Sequence, residues 1–211
     1  MPSGTDAKRL VADGYDQIAS EYVKWRERTT EDYMITHLDR VTESLSANAR
    51  VLDLGCGSGV PYGQYLSERF DVVGVDISSG QLKLGRELDS GPAFLLADMA
   101  RLPLRRGTFG AIAALYSVIH LPREQHEEFW ADLHALLRPA GRLFVVLGTT
   151  DWVGTEPDWL VPGVNMYWSQ FDNDTSCRML ENAGFRILTT ESIPDPLGDG
   201  GVHVYVVAVR V

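Results

Sequence analysis

The residues Asp53-Leu54-Gly55-Cys56-Gly57-Ser58-Gly59 carry the spacing that points most directly to chemistry. Glycines at every second position let a backbone approach a ligand closely and take up angles that a β-carbon opposes. A helix after such a loop presents free N–H groups and a positive dipole end. At the carboxyl edge of a parallel sheet this is where doubly wound folds hold ligands. A second apolar run, Val72-Val73-Gly74-Val75, ends in Asp76, 17 positions after Gly59. A carboxylate there can accept two hydrogen bonds from a ribose diol. A third run ends in Ala97-Asp98-Met99, an acceptor suited to the amino group of a purine. A fourth ends in Tyr116-Ser117-Val118-Ile119-His120, where a reacting group would sit.

The elements that position these residues follow from periodicity. Apolar residues Val11, Tyr15, Ile18, Tyr22 and Trp25 recur at steps of three or four, the pattern of an amphipathic helix. Met34, Leu38, Val41 and Leu45 predict a second helix, and with the first make residues 1–48 an N-terminal helical cap. From Arg50 short apolar runs alternate with helical stretches. Strands are expected at 51–54, 72–75, 93–96, 111–116, 143–147, 186–190 and 202–209. Ser78 is the expected N-cap of a helix over 81–88, and Pro122 opens another through Leu137. The fold class is therefore α/β: a Rossmann-like, seven-stranded, mostly parallel sheet with helices on both faces. The 191–201 connection is too short for a crossover helix, so the last strand should run antiparallel to its neighbour.

At 211 residues, 45% hydrophobic and 23% charged, the chain fits one domain spanning 1–211. A net charge of −10 argues against a nucleic-acid partner, since that binding draws its affinity from Lys and Arg. Two cysteines offer neither a disulfide framework nor a four-cysteine metal site. No apolar run approaches the ~20 residues of a bilayer span, and Met1–Asp6 lacks a signal-peptide pattern. The expectation is a cytoplasmic, metal-free protein with no membrane partner, monomeric or homodimeric.

The glycine loop, Asp76, Asp98, the opening helix with Tyr15-Asp16, Ile18-Ala19 and Tyr22, and Leu136-Leu137-Arg138-Pro139-Ala140-Gly141-Arg142 together resemble the class I S-adenosylmethionine-dependent methyltransferases, specifically the small single-domain enzymes acting on metabolites and natural products. The resemblance covers nearly the whole chain. It implies that Gly55, Cys56, Gly57 and Gly59 pack against the methionine portion of S-adenosylmethionine, with Asp53 holding the loop. It implies Asp76 at the ribose, Ile77 and Met99 at the adenine ring, and Asp98 at the adenine amino group. Tyr15, Tyr22 and Tyr116 complete the implied cofactor set, and S-adenosylhomocysteine is the implied product. A small-molecule or peptide-derived acceptor is expected, with O-methylation ahead of N- or C-methylation.

His120 is the candidate base; a hydrogen-bonded structural histidine is the equal alternative. His126 and His134 are expected to be solvated on a surface helix, and His203 to be structural. Cys56 reads as a small residue tolerated by a tight turn. Three of the five tryptophans, Trp152, Trp159 and Trp168, fall in residues 149–172, an irregular stretch that also holds Tyr167 and Phe171. This segment reads as a lid over an apolar acceptor, with Trp152, Tyr167, Trp168 and Tyr33 as contacts; the alternative is a loop stapled to the body. Two rival functions stand beside the transferase. A nicotinamide-dependent oxidoreductase would need Gly-x-Gly-x-x-Gly, but Val60 stands where its third glycine belongs. A non-catalytic cofactor-binding module would keep the fold and lose turnover.

Overall fold

The computed structural model describes residues 4–29, 32–194 and 201–211, with the side chains of 27–33 outside the described set. The strands are β1 (Arg50–Leu54), β2 (Asp71–Asp76), β3 (Ala93–Leu96), β4 (Phe109–Ala114), β5 (Leu137–Gly148), β6 (Trp152–Glu156), β7 (Met166–Gln170), β8 (Phe185–Pro194) and β9 (Val202–Arg210). Seven of them form one sheet in the order β3-β2-β1-β4-β5-β9-β8. The first five are parallel neighbours, and β9 runs antiparallel to both β5 and β8. The seven-stranded, mostly parallel sheet with an antiparallel final strand is the architecture expected.

Two-residue alternation sends successive side chains of β1 to opposite faces. Leu52 and Leu54 join Ile112 and Val145 under α5 (His126–Leu136) and α6 (Asn173–Asn182). Val51 joins Ala111 and Phe144 under α2 (Asp32–Thr42) and α3 (Tyr62–Ser67). Ser78 caps α4 (Ser79–Glu87) by accepting a hydrogen bond from the Gln81 N–H at 3.1 Å. α1 (Gly4–Thr29) packs against α4 and β7. Asp16 fastens it there: its Oδ1 accepts from Ser78 Oγ at 2.6 Å and from the Gly80 N–H at 2.7 Å.

Two expectations need correction. Residues 149–172 are irregular only in part, because β6 and β7 pair as an antiparallel hairpin with Gly154 opposite Trp168, while 157–165 connect them outside any strand. His126 is not solvated. It is 3% exposed, and its Nε2 lies 3.0 Å from the Leu121 carbonyl. Its position is shared with Phe129, Trp130 and Leu133 at helical spacing, so it belongs to the apolar stripe of α5. β4 also stops two residues short of its expected end, where Tyr116 turns the chain with φ 55°.

Candidate functional site

β1 delivers Asp53 and the glycine loop to the sheet edge beside the end of β2. Gly55 sits at φ +67°, and a β-carbon there would lie 2.2 Å from Ser117 Cβ, so only glycine fits. Ser117 itself donates to the Leu54 carbonyl at 2.8 Å, fixing the chain after β4 against the loop. Asp76 clamps the other side: Oδ2 accepts from the Gly57 N–H at 2.7 Å and Oδ1 from the Ser78 N–H at 2.8 Å. The carboxylate thus shapes the loop and lines the cavity beside it.

That cavity, about 100 Å³, lies between the loop and α1. Twelve of the residues singled out from sequence line it: Tyr15, Tyr22, Asp53, Gly55, Cys56, Gly57, Asp76, Ile77, Asp98, Met99, Tyr116 and His120. Gly59 does not; its α-carbon packs toward Ser90 and Phe94. Sequence reasoning missed Lys8, Arg26 and Tyr62, which also line it. Lys8, Tyr15, Tyr22 and Arg26 are spaced by seven, seven and four, one face of α1, so extending the helical stripe to charged residues would have found them. Lys8 Nζ holds Asp98 Oδ2 at 2.5 Å, and Ala100 N–H donates to Asp98 Oδ1. Arg26 is buried, donates to Tyr62 Oη at 3.0 Å and lies over the Tyr116 ring at 5.0 Å.

The electrostatics of the cavity are unusual for their carboxylates. Burial, with the nearby Asp76 charge adding to it, pushes the Asp53 carboxyl up to about 7. Burial also raises Asp76, against the lowering effect of the Ser78 and Gly57 N–H groups. Two buried carboxylates facing one cavity suit a ligand that brings positive charge, as the sulfonium and ammonium of S-adenosylmethionine do. Burial raises the Cys56 thiol well above its usual range, which disfavours the thiolate and leaves Cys56 a packing residue beside Gly74.

A second cavity of about 500 Å³ adjoins the first and shares Tyr15, Tyr22, Arg26 and Tyr116 with it. Trp25, Trp152, Trp159 and Trp168 supply further aromatic faces. Trp152 is 44% exposed at the start of β6, close to Val202, another exposed apolar lining residue. Tyr167 does not line this cavity; it is buried, and its contribution is a backbone carbonyl 2.7 Å from His120 Nδ1. The Tyr33 side chain lies outside the described residues. His120 is buried, with its ring centroid 4.5 Å from that of Trp168. Burial holds its imidazole down at about 4, opposed by the bond to Tyr167. His203 lies in β9 with its ring edge-on to Tyr116, and no group of three or more His, Cys, Asp or Glu residues placed to hold a metal occurs among the described residues.

Residues 51–141 match the family model described as "Methyltransferase domain". The chain is 33% identical over 176 residues to "Methyltransferase GfsG" of Streptomyces halstedii, covering 70% of this chain and 62% of that protein. It is 27% identical over 154 residues to the demethylmenaquinone methyltransferase of Beutenbergia cavernae, covering 69% of this chain and 61% of that one. The chain therefore spans about three-fifths of the length of these curated relatives. Among solved structures, the 1,6-didemethyltoxoflavin-N1-methyltransferase of Burkholderia thailandensis, with that compound and S-adenosylhomocysteine bound, superposes with a TM-score of 0.71. It is 19% identical and covers 100% of this chain and 92% of that chain, a likeness of fold.

Proposed function

We propose that this chain is a class I S-adenosylmethionine-dependent methyltransferase and that it transfers a methyl group from S-adenosylmethionine to a small, largely apolar acceptor held in the 500 Å³ cavity. The observation that carries this reading is the shared wall: Tyr15, Tyr22, Arg26 and Tyr116 line both cavities, so a cofactor in one and an acceptor in the other would meet there. The bound cofactor supplies an electrophilic methyl group on a sulfonium. The protein's part is to align the acceptor with it and exclude water. The glycine loop, Asp53, Asp76, Ile77 and Met99 hold the cofactor, and Lys8 on Asp98 ties α1 over its far end.

Oxygen is the favoured acceptor atom. His120 is neutral at pH 7 and is the base to which the proton released by the acceptor finally passes, but burial makes it a weak base. A weak base suits an acidic hydroxyl, such as a phenol or enol, or a carboxylate with no proton to lose, better than an aliphatic alcohol. The aromatic walls suit a planar or unsaturated molecule, and exposed Trp152 and Val202 extend the apolar surface to the rim.

The test has two stages. Saturable binding of S-adenosylhomocysteine by calorimetry, weakened in Asp76→Ala and absent with NADH, is the expected first result. A panel of phenolic, enolic and carboxylic acceptors, read by mass spectrometry for one added methyl group, is the second. Binding without turnover of any acceptor, amines included, would leave the non-catalytic module as the better reading, and NADH binding would favour an oxidoreductase.

A further inference from the structure

His120 has a defined hydrogen-bonding environment, which fixes what it can do. Its Nδ1 lies 2.7 Å from the Tyr167 carbonyl oxygen, which can only accept, so Nδ1 carries the proton. The neutral ring then presents a lone pair at Nε2, and the group 3.0 Å from that nitrogen is the Tyr15 hydroxyl. Tyr15 therefore donates to His120. The two residues also differ in what they face. Tyr15 lines both cavities, whereas His120 lines only the cofactor cavity, its ring packed against Tyr15 and Trp168, which line the acceptor cavity. A base whose lone pair is already taken, and which does not reach the acceptor cavity, cannot remove the acceptor's proton directly.

We infer that Tyr15 is a catalytic residue of the transfer, relaying the acceptor's proton to His120 Nε2. The inference rests on the methyltransferase reading and deepens it. As the acceptor oxygen bonds to the methyl group, its O–H bond breaks and the proton moves to Tyr15 Oη. The proton that Tyr15 carried passes to Nε2, leaving an imidazolium and a neutral phenol, while the S–CH3 bonding pair stays on sulfur. One positive charge disappears from sulfur as one forms on His120, so the net charge of the buried site is unchanged. That balance matters where solvent cannot compensate a new charge. The Tyr167 carbonyl, aligned with Nδ1–H, stabilises the imidazolium and holds the ring in the accepting tautomer.

The first test needs neither cofactor nor acceptor. Long-range 1H–15N spectra of the histidine rings, assigned with His120→Gln, should show His120 as a neutral Nδ1–H tautomer at pH 7. Its Nε2 resonance should move when Tyr15 is changed to Phe, which removes one oxygen and keeps the ring. An Nε2–H tautomer, or an Nε2 resonance indifferent to Tyr15→Phe, overturns the relay. The second test separates proton transfer from cofactor binding. Tyr15→Phe, which keeps the ring on the cavity wall, should lose about a hundredfold or more in single-turnover methyl transfer to a hydroxyl acceptor at saturating cofactor, a loss well beyond any change in its affinity for S-adenosylhomocysteine. Affinity and transfer falling by the same factor, or transfer staying within about twofold of wild type, overturns the relay. Failure of the wild-type protein to bind S-adenosylhomocysteine is a different result, and it removes the methyltransferase reading and the relay together.

Discussion

Asp53 makes cofactor binding a proton-linked event. Its carboxyl titrates at about 7 in the free protein because it is buried and shares the cavity with Asp76. A ligand that brings an ammonium, and for S-adenosylmethionine a sulfonium as well, favours the ionised form. Binding therefore expels the proton wherever the free carboxyl holds one. With a free value of about 7 and a carboxylate fully ionised in the complex, roughly three-quarters of a proton leaves per site at pH 6.5, half at pH 7 and a tenth at pH 8. The sign follows directly: a group protonated when free and ionised when bound makes affinity rise with pH until pH exceeds the free value. Affinity should be about tenfold weaker at pH 6 than at pH 8.

Titration calorimetry in buffers of different ionisation enthalpy reads the released protons directly. Asp53→Asn should bind more weakly, with no proton release between pH 6 and 7 and a flat affinity over that range. It also subtracts the ligand amine's own ionisation at higher pH. Less than about 0.2 proton released by the wild-type protein at pH 6.5 would refute the idea that an uncompensated carboxyl waits in this cavity for a cation.

Gly85→Ala should destabilise the protein by about 1–3 kcal/mol, although alanine is the better helix former by about 1 kcal/mol. The new β-carbon would lie 2.6 Å from the Ser58 carbonyl oxygen and from Phe94 Cζ, forcing α4 away from the glycine loop; urea melts and S-adenosylhomocysteine titration should both register the loss. His126 gives a prediction with the opposite pH sense to Asp53. Burial holds its imidazole down at about 4, so its contribution is full above the unfolded value near 6.5 and is lost as pH falls toward 4. His126→Gln cannot charge, so between pH 6.5 and 4.5 the wild-type protein should lose about 2 kcal/mol more stability than the variant. Asp53 favours the fold at low pH in both proteins and cancels in the comparison; equal losses in urea melts would contradict the burial of His126.

The sheet was legible because its signals are short-range. Apolar runs of strand length alternate with helices, and the 191–201 connection forbids a crossover, so the parallel strands and the antiparallel end follow from counting. The glycine loop was legible because Gly55 answers a local steric demand that its φ and Ser117 confirm. The β6–β7 hairpin was not, because its strands pair with each other outside the main sheet and its aromatics serve a cavity, so no two-residue alternation marks them. His126 was misread although its spacing to Phe129, Trp130 and Leu133 was visible; a polar type was given more weight than its place on the stripe. The hydrogen-bond direction at His120 was beyond any sequence reading, since it depends on a carbonyl 47 residues away and a hydroxyl 105 residues away.

One helix joins these observations. α1 brings Lys8 to Asp98 at one end of the cofactor cavity, and Tyr15, Tyr22 and Arg26 to the wall shared with the acceptor cavity. Asp16 fastens it at the start of α4, where a β-carbon on Gly80 would lie 3.1 Å from the Asp16 backbone. The same helix therefore forms walls of both cavities and, in the proposed relay, carries the hydroxyl that would face the acceptor. Cofactor affinity and acceptor choice cannot vary independently in such an arrangement, because a side chain on the shared wall that admits a different acceptor also reshapes the cofactor cavity. Acceptor selectivity can change with less effect on the cofactor at Trp152 and Val202, which line only the outer cavity.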